Sequence, residues 1–333
     1  MENVTQAFTP HLITASFETF LAPRRRTIIS VIGFDLLTCT LGTFLNVWVA
    51  ASILTSRTLR HVLRNQLVCN IAISHLVQTL VVSPAEIVNF LDLLHPPWEK
   101  AIYCHAMTVQ SILGHVQSGL TDWLIFFLIA AFCVNFLRPN LAMRMSPMFV
   151  TVCKIAVHIV PWLVITSATI VSITKMTSAH KCFWIPRSTI WLYETVYTIV
   201  PTCISALVLT ALYLMRQRRG GLAGALVYSN MEDEKVETMA RPDKFSPYIW
   251  AMIIVLACEI TNLVVLFKGK NKNAVQFNVR QSAAVLSNFR VMLGLLPYLL
   301  FPDIRNRVST WRPWKQHTAP PQTELAEVEE MNT

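Results

Sequence analysis

Residues 104–135 read CHAMTVQSILGHVQSGLTDWLIFFLIAAFCVN, with Asp122 as the one acidic residue and no Lys or Arg. A helix that crosses the hydrocarbon of a membrane needs about 20 predominantly apolar residues. It must be helical because its backbone polar groups find no water there and have to pair within the segment. The stretch is longer than this minimum, so it predicts a transmembrane helix.

Six further stretches share this apolar character and length. Of the 333 residues, 53% are hydrophobic and 14% are charged, whereas soluble proteins average about 25% charged residues. We therefore predict an all-α membrane protein, a seven-transmembrane helix bundle in which 104–135 is the third span. The other predicted spans, in chain order, are 28–54, 66–91, 149–174, 189–215, 246–267 and 281–301.

The orientation follows from the segments that flank the spans. The N-terminal run lacks the pattern of a cleaved signal peptide, so we expect the first span to direct insertion. Lys and Arg are slightly more frequent after spans one, three, five and seven, which marks these segments as cytoplasmic. The Asn3-Val4-Thr5 sequon favours glycosylation of Asn3 and an extracellular N-terminus. We predict a multi-pass plasma-membrane protein with an extracellular tail 1–27, the bundle 28–301, an amphipathic membrane-surface helix 302–315 and a flexible cytoplasmic tail 316–333.

Two of the cysteines differ from the others. Five of the eight lie well inside apolar stretches, and Cys258 is similar, which is typical of cysteine acting as a small buried hydrophobe. Cys104 begins the third span, and Cys182 lies in the loop between the fourth and fifth spans. Both belong to the predicted extracellular face, where a disulfide persists. We predict a Cys104–Cys182 disulfide, with two unpaired thiols as the alternative.

Short motifs inside the spans resemble those of one receptor family. The first span carries Gly42-Thr-Phe-Leu-Asn46, similar to G-x-x-x-N, and the second carries Asn70-Ile-Ala-Ile-Ser-His75-Leu, similar to N-L-A-x-x-D-L. From 28 to 315 the chain resembles a rhodopsin-family G-protein-coupled receptor. The resemblance implies an extracellular ligand and a heterotrimeric G protein as partners. Four further residues occur in the same order and at similar positions as characteristic residues of the family: Trp98, Trp162, Pro201 and Pro297.

The third span departs from the family where signalling is concerned. Relatives carry D-R-Y at its inner end, and this chain carries Ala131, Phe132 and Cys133 in that region. Counting back from Pro139 puts Phe132 at the place of the arginine, whereas counting forward from Cys104 puts Ile129 there. By resemblance, that arginine reaches into the cavity that opens for the G protein. We therefore expect weak, constitutive or absent coupling.

The sixth, seventh and second spans also depart from the family. Cys258-Glu259-Ile260-Thr261 stands in place of C-W-x-P, and Leu296-Pro297-Tyr298-Leu299-Leu300 stands in place of N-P-x-x-Y. His75 replaces the aspartate that the family uses to hold sodium, so we expect sodium control to be lost. We expect His75 to be a hydrogen-bonded structural residue, with a pH-dependent role as the alternative.

Ionisable residues inside the spans are costly and tend to face the interior of a bundle. Glu259 and Arg290 lie near the middle of the sixth and seventh spans, which are neighbours in the family fold. We hypothesise that they form an intramembrane ion pair, a latch that replaces the missing switch residues. The alternative is that each residue meets water and other polar groups separately. Further candidates are Asp35, Glu86 and Asp122.

A ligand pocket is expected between the outer halves of spans three, five, six and seven. Polar residues there recur at helical spacing and share faces. Lys and Arg near the expected mouth favour an acidic ligand, and attraction to lipid headgroups is the alternative. The candidate lining residues are Ser111, His115, Glu194, Tyr197, Glu259, Asn262, Gln281 and Arg290.

The signatures of enzymes are absent from the sequence, which has no P-loop, no paired metal ligands and no glycine-rich nucleotide loop. We expect a receptor that is not an enzyme, binds no cofactor, metal or nucleic acid, and contacts membrane lipids and an unknown extracellular ligand. The first alternative is a non-signalling seven-helix partner that associates with other receptors and modulates them or their trafficking. The second is a transporter, a channel or another seven-helix sensory class. Among sensory classes, bitter-taste receptors usually lack a bridge of this kind, so Cys104 and Cys182 argue against that group.

Overall fold

The computed structural model describes most of the predicted spans and little of the segments outside them. Its described residues are 22–94, 100–137, 146–174, 177–179, 182–184, 194–220, 245–268, 281, 285–286 and 288–310. Some side chains within these helices and strands are not described. The predicted glycosylation site Asn3 and the predicted tail 316–333 lie outside the described residues.

Helices make up nearly all of the described structure. In chain order they are α1 (Arg25–Leu54), α2 (Arg57–His61), α3 (Leu63–Leu94), α4 (Lys100–Leu137), α5 (Pro147–Thr174), α6 (Glu194–Gly220), α7 (Ser246–Lys268), α8 (Asn288–Leu300) and α9 (Pro302–Thr310). The one departure from the all-α prediction is a short antiparallel ribbon between α5 and α6. Its strands are β1 (Thr177–Ala179) and β2 (Cys182–Trp184), with Ala179 opposite Cys182.

Several helices are not uniform along their length. In α1 a π-helical segment, Thr38–Gly42, joins the α-helical parts Arg25–Leu37 and Thr43–Leu54. In α3 the π-helical segment Gln78–Val82 joins Leu63–Val77 and Ser83–Leu94. Helix α6 begins with a π-helical turn at Glu194–Ile199, and α8 ends in a 3-10 turn at Leu296–Leu300. The predicted surface helix 302–315 corresponds to α9 as far as Thr310, and the remainder lies outside the described residues.

Four of the described helical stretches are long and apolar enough to cross a membrane, which makes this a membrane protein by length and composition. They are Arg25–Leu54, Leu63–Asp92, Ala106–Leu137 and Thr195–Gln217. Shorter apolar helical segments, Thr151–Ser167, Ser246–Glu259 and Asn288–Leu300, coincide with the predicted spans four, six and seven. The seven-span bundle stays a prediction.

Helix α4 lies against α3, α5, α6 and the ribbon. Leu120, Leu124 and Leu128 recur every four residues along it and are at most 1% exposed, as expected for one face of a helix turned towards other helices. In contrast, Leu163 on α5 and Leu207 on α6 are 63% and 70% exposed. Such apolar outer surfaces suit contact with lipid.

Gly42, the glycine of the G-x-x-x-N motif, marks a close approach between α1 and α3. Their two π-helical segments pack on each other, and a Cβ atom added at Gly42 would lie 2.8 Å from Thr79 Cγ2. Thr79 cannot easily move away, because Thr43 Oγ1 donates a hydrogen bond to its hydroxyl at 2.9 Å. The other end of the motif, Asn46, donates to Gly42 O at 2.6 Å and Val291 O at 3.2 Å. The motif therefore joins α1 to both α3 and α8.

Replacing this glycine tests the close approach. We expect Gly42→Ala to lower the free energy of unfolding by about 1–3 kcal/mol, the usual cost of overpacking. The measurement is the thermal unfolding midpoint of the purified protein in detergent. Gly33→Ala is the matched control, since an added Cβ there meets nothing within 4 Å. Adding Thr79→Ser removes the clashing methyl and keeps the hydroxyl, so the double variant should recover; a Gly42→Ala protein as stable as wild type contradicts the packing.

Candidate functional site

A buried arginine connects three helices in the middle of the described structure. Arg290 on α8 is 3% exposed. Its Nη1 lies 2.9 Å from Asp122 Oδ1 on α4 and 2.6 Å from Glu259 Oε1 on α7. Its Nη2 donates to Ser118 O at 3.4 Å. The structure thus brings the predicted pair Glu259 and Arg290 together and adds Asp122 as a second acid; we call these three residues the Arg290 triad.

Burial makes the charges of the triad strongly interdependent. Asp122 and Glu259 are 2% and 5% exposed, so all three groups have lost most of their contact with water. Taking charges out of water is expensive, and mutual attraction offsets the cost only while each charge keeps its partner. Arginine suits this position because its planar guanidinium carries five donors and can hold two carboxylates at once. The triad therefore ties α4, α7 and α8 together.

Neighbouring contacts hold the backbone of α8 in position. Cys258 Sγ, one residue before Glu259, donates to Leu286 O at 3.3 Å. Phe289, one residue before Arg290, packs its ring against Phe34 of α1 with centroids 5.7 Å apart. The part of α8 that carries Arg290 is thus fixed from the α7 side and from the α1 side.

His75 lies deep in the structure, but not as predicted. It is 1% exposed, and neither ring nitrogen has a hydrogen-bond partner among the described residues. The expected hydrogen bond is therefore not formed with any residue that the structure describes. The neighbouring hydroxyl of Ser74 is already paired with Thr121 at 2.9 Å. The imidazole instead packs beside Gly294, where an added Cβ would lie 3.1 Å from His75 Cε1.

A second buried polar group lies between α1, α3 and α8. Asn288 Nδ2 donates to Asp35 Oδ1 at 2.8 Å and lies 3.5 Å from Glu86 Oε2. Asn288 Oδ1 accepts from Gln78 Nε2 at 3.1 Å. The two acids were sequence candidates, whereas Gln78 and Asn288 were missed. We call this group the Asn288 network.

Aromatic side chains fill the end of the structure that the sequence predicts to be cytoplasmic. Phe132 stacks on Tyr248 with centroids 4.2 Å apart and meets Phe245 edge-on at 4.8 Å. Phe301 packs against Tyr248 at 5.4 Å, and Phe136 against Phe245 at 5.3 Å. These five residues form the aromatic cluster.

The region that replaces D-R-Y faces this cluster through one residue. Phe132 is 3% exposed, whereas Ala131 and Cys133 on either side of it are half-buried. Ile129, the other candidate for the arginine's place, is 2% exposed and also buried. By either count, an apolar side chain occupies the place where relatives have the arginine.

A surface ion pair flanks the aromatic cluster. The guanidinium of Arg64 lies 4.1 Å over the ring of Phe301, and its Nη2 lies 2.5 Å from Asp303 Oδ2. Asn65 Nδ2 donates to the same carboxylate oxygen at 2.9 Å. These contacts fasten α9 to the start of α3.

Of the predicted pocket residues, the structure brings together Glu259 and Arg290. Tyr197 on α6 is half-buried and packs against the core, and Gln281 is half-buried. The pocket itself stays a prediction. The side chains of the remaining candidates lie outside the described residues; they are Ser111, His115, Glu194 and Asn262.

Cys104 is disulfide-bonded. Six other cysteines are free, and strand β2, which carries Cys182, packs along α4. The side chain of Cys182 lies outside the described residues, so its pairing with Cys104 stays a prediction that these observations support. Within the described part of the chain, no group of three or more His, Cys, Asp or Glu side chains is placed to hold a metal ion.

Comparison with other proteins adds no relative to this picture. No family model matches the chain, and no curated protein sequence is significantly similar to it. The resemblance to rhodopsin-family receptors therefore rests on the motifs in the sequence.

Proposed function

We propose that this chain is an atypical rhodopsin-like receptor of the plasma membrane, a seven-helix bundle with its N-terminus outside. It transmits an extracellular signal with weak, constitutive or altered G-protein coupling. The observation that carries the proposal is the binding of Arg290 to both Asp122 and Glu259. In the family that the chain resembles, the third, sixth and seventh helices change their contacts on activation. The Arg290 triad joins the corresponding helices and is the latch of the inactive state.

Contacts made by the motif residues support the family part of the proposal. Asn46 of the G-x-x-x-N motif joins α1 to α8 through Val291 O. Asn70 of the second motif pairs with His158 Nδ1 of α5 at 2.6 Å, and His158 Nε2 pairs with Gln66 at 3.0 Å. Residues that carry the resemblance thus take part in contacts between helices, as structural motif residues should.

The aromatic cluster supports the altered coupling. In relatives, a charged arginine is available on the third helix for the G-protein cavity. Here Phe132 lies between Phe245 and Tyr248 of the segment that begins α7, so opening this end separates packed rings. Because helices in a membrane are held together largely by side-chain packing, the closed arrangement is favoured.

Basal second-messenger output in cells tests the latch. We expect Glu259→Gln, Asp122→Asn and Arg290→Gln each to raise output above wild type at equal surface expression. A lost hydrogen bond to a charged group is worth about 1.5–3 kcal/mol, and about 1.4 kcal/mol changes an equilibrium tenfold. Each substitution therefore shifts the balance between closed and open states by roughly 10-fold to 100-fold. Thr169→Val is the control, because Thr169 is a buried polar residue of α5 whose hydroxyl donates to Ile165 O of its own helix and not to the triad.

The same assay identifies the competing function. If wild type and all three triad variants are silent at normal surface levels, the latch hypothesis fails. The aromatic cluster then favours the second candidate, a non-signalling seven-helix protein that associates with other receptors and modulates them or their trafficking. That candidate predicts that co-expression changes the surface level of a partner receptor, and that the triad variants leave this effect unchanged.

A further inference from the structure

Two buried carboxylates in the Asn288 network have no basic partner. Asp35 and Glu86 are 0% and 8% exposed. Among the described residues neither forms an ion pair with a Lys, Arg or His. The amide hydrogens of Asn288 point at one oxygen of each acid, while Asp35 Oδ2 is buried without a hydrogen-bond partner. Two such carboxylates inside a membrane protein are too costly to stay charged and unpaired, so they hold either a bound cation or a proton.

A buried hydroxyl lies beside these carboxylates and is also without a partner. Ser83 is 0% exposed, and its Oγ makes no hydrogen bond to another described residue. Ser83 and Glu86 are three apart on α3 and share a face. On α1, Cys39 is one turn beyond Asp35; its thiol lies close to the Ser83 hydroxyl and within electrostatic reach of Asp35 and Glu86. The Ser83 hydroxyl is therefore adjacent to the space between the two acids.

The two π-helical segments flank this space. One begins at Thr38, within a turn of Asp35, and the other ends at Val82, immediately before Ser83. A π segment inserts an extra residue, which turns the side chains beyond it by roughly 100° about the helix axis. Such insertions are frequently found at functional sites.

We propose that the space between α1, α3 and α8 binds one small hard cation, Na⁺ or Ca²⁺, through Asp35 Oδ2, the Glu86 carboxylate and Ser83 Oγ. Carboxylate and hydroxyl oxygens are the ligands that hard cations prefer, and water completes their coordination. Glu86 retains 8% exposure, which gives the ion a route from solvent. The site is separate from His75, where the sequence predicts that the sodium site of the family is lost. It does not depend on the proposed signalling function.

The thermal unfolding midpoint of the purified full-length chain in detergent tests the site. The midpoint is measured after chelation, at constant ionic strength held with choline chloride, while NaCl or CaCl₂ is titrated in. A ligand that binds the folded state alone raises the midpoint with the logarithm of its concentration once that concentration exceeds Kd. We expect this rise for wild type with one of the two ions, which identifies the ion. It should disappear in Asp35→Asn and Glu86→Gln, and Ser83→Ala should shift it to higher ion concentration.

Asp303→Asn is the control, because Asp303 belongs to the half-buried pair with Arg64, outside the Asn288 network, and its variant should keep the full ion response. The proposal is overturned if the wild-type midpoint does not rise with either ion at constant ionic strength. It is also overturned if Asp35→Asn responds like wild type, which indicates a general salt effect. A midpoint that depends on pH but on neither ion means that the two carboxyls share a proton instead.

Discussion

Replacing Arg290 with methionine should destabilise this protein more than removal of either of its acidic partners. Arg290→Met leaves Asp122 and Glu259 buried together without a positive charge. Removing one member of a buried ion pair costs about 3–5 kcal/mol, because the remaining charge is uncompensated. Glu259→Gln leaves the contact between Arg290 and Asp122 intact and should cost less. The measurement is the unfolding midpoint in detergent, together with the fraction of protein that reaches the cell surface.

Neutralising the partners provides the internal control. Asp122→Asn and Glu259→Gln, introduced together into the Arg290→Met protein, remove both uncompensated charges and should restore much of the lost stability. Arg290→Lys keeps one positive charge but loses the second nitrogen that donates to Ser118 O, so an intermediate midpoint is expected. A single Arg290→Met protein with the wild-type midpoint is incompatible with a charged triad.

The second large effect is expected at Phe132. Truncating this ring in Phe132→Ala removes its contacts with Tyr248 and Phe245 and leaves a cavity. Losses of this kind cost about 3–5 kcal/mol in protein cores, and in a membrane the packing lost is a main source of helix association. We expect a lower unfolding midpoint, and higher basal output from the protein that remains folded.

Two substitutions calibrate that result. Phe132→Leu keeps most of the volume and should cost less than about 1.5 kcal/mol. Phe149→Ala removes the same ring from the outer face of α5, where the side chain is 51% exposed, and should change the midpoint little. If the changes at positions 132 and 149 have equal effects, the aromatic cluster does not hold α4 to α7.

The sequence predicted the depth of the ionisable residues better than their partners. Glu259 and Arg290 were paired because both lie in the middle of neighbouring spans. Asp122 lies at a similar depth on α4, but depth does not tell which way a side chain points about the helix axis. The sequence therefore named Asp122 as a candidate without assigning it to Arg290.

The unknown rotation of each helix about its axis also explains why the sequence did not predict the Asn288 network or the aromatic cluster. The π-helical segments at Thr38–Gly42 and Gln78–Val82 break the regular spacing along α1 and α3, so face assignments carried across them are wrong. Phe132 has the same apolar character as the lipid-facing Phe149, and the sequence alone does not distinguish them. Gly42 was recognisable as part of a motif. The reason that a glycine is needed there, its close approach to Thr79 Cγ2, is visible only in the structure.

The burial of Arg290 also constrains how the chain is made. A single arginine at the centre of a helix raises the free energy of insertion from the translocon by about 2.5–3.5 kcal/mol, so α8 is a poor substrate for independent entry into the bilayer. Its two acceptors, Asp122 and Glu259, lie on helices that the ribosome completes earlier. In the proposed seven-span bundle, capture of α8 by segments already in the membrane would offset this penalty and couple the last step of insertion to correct assembly of the helices before it.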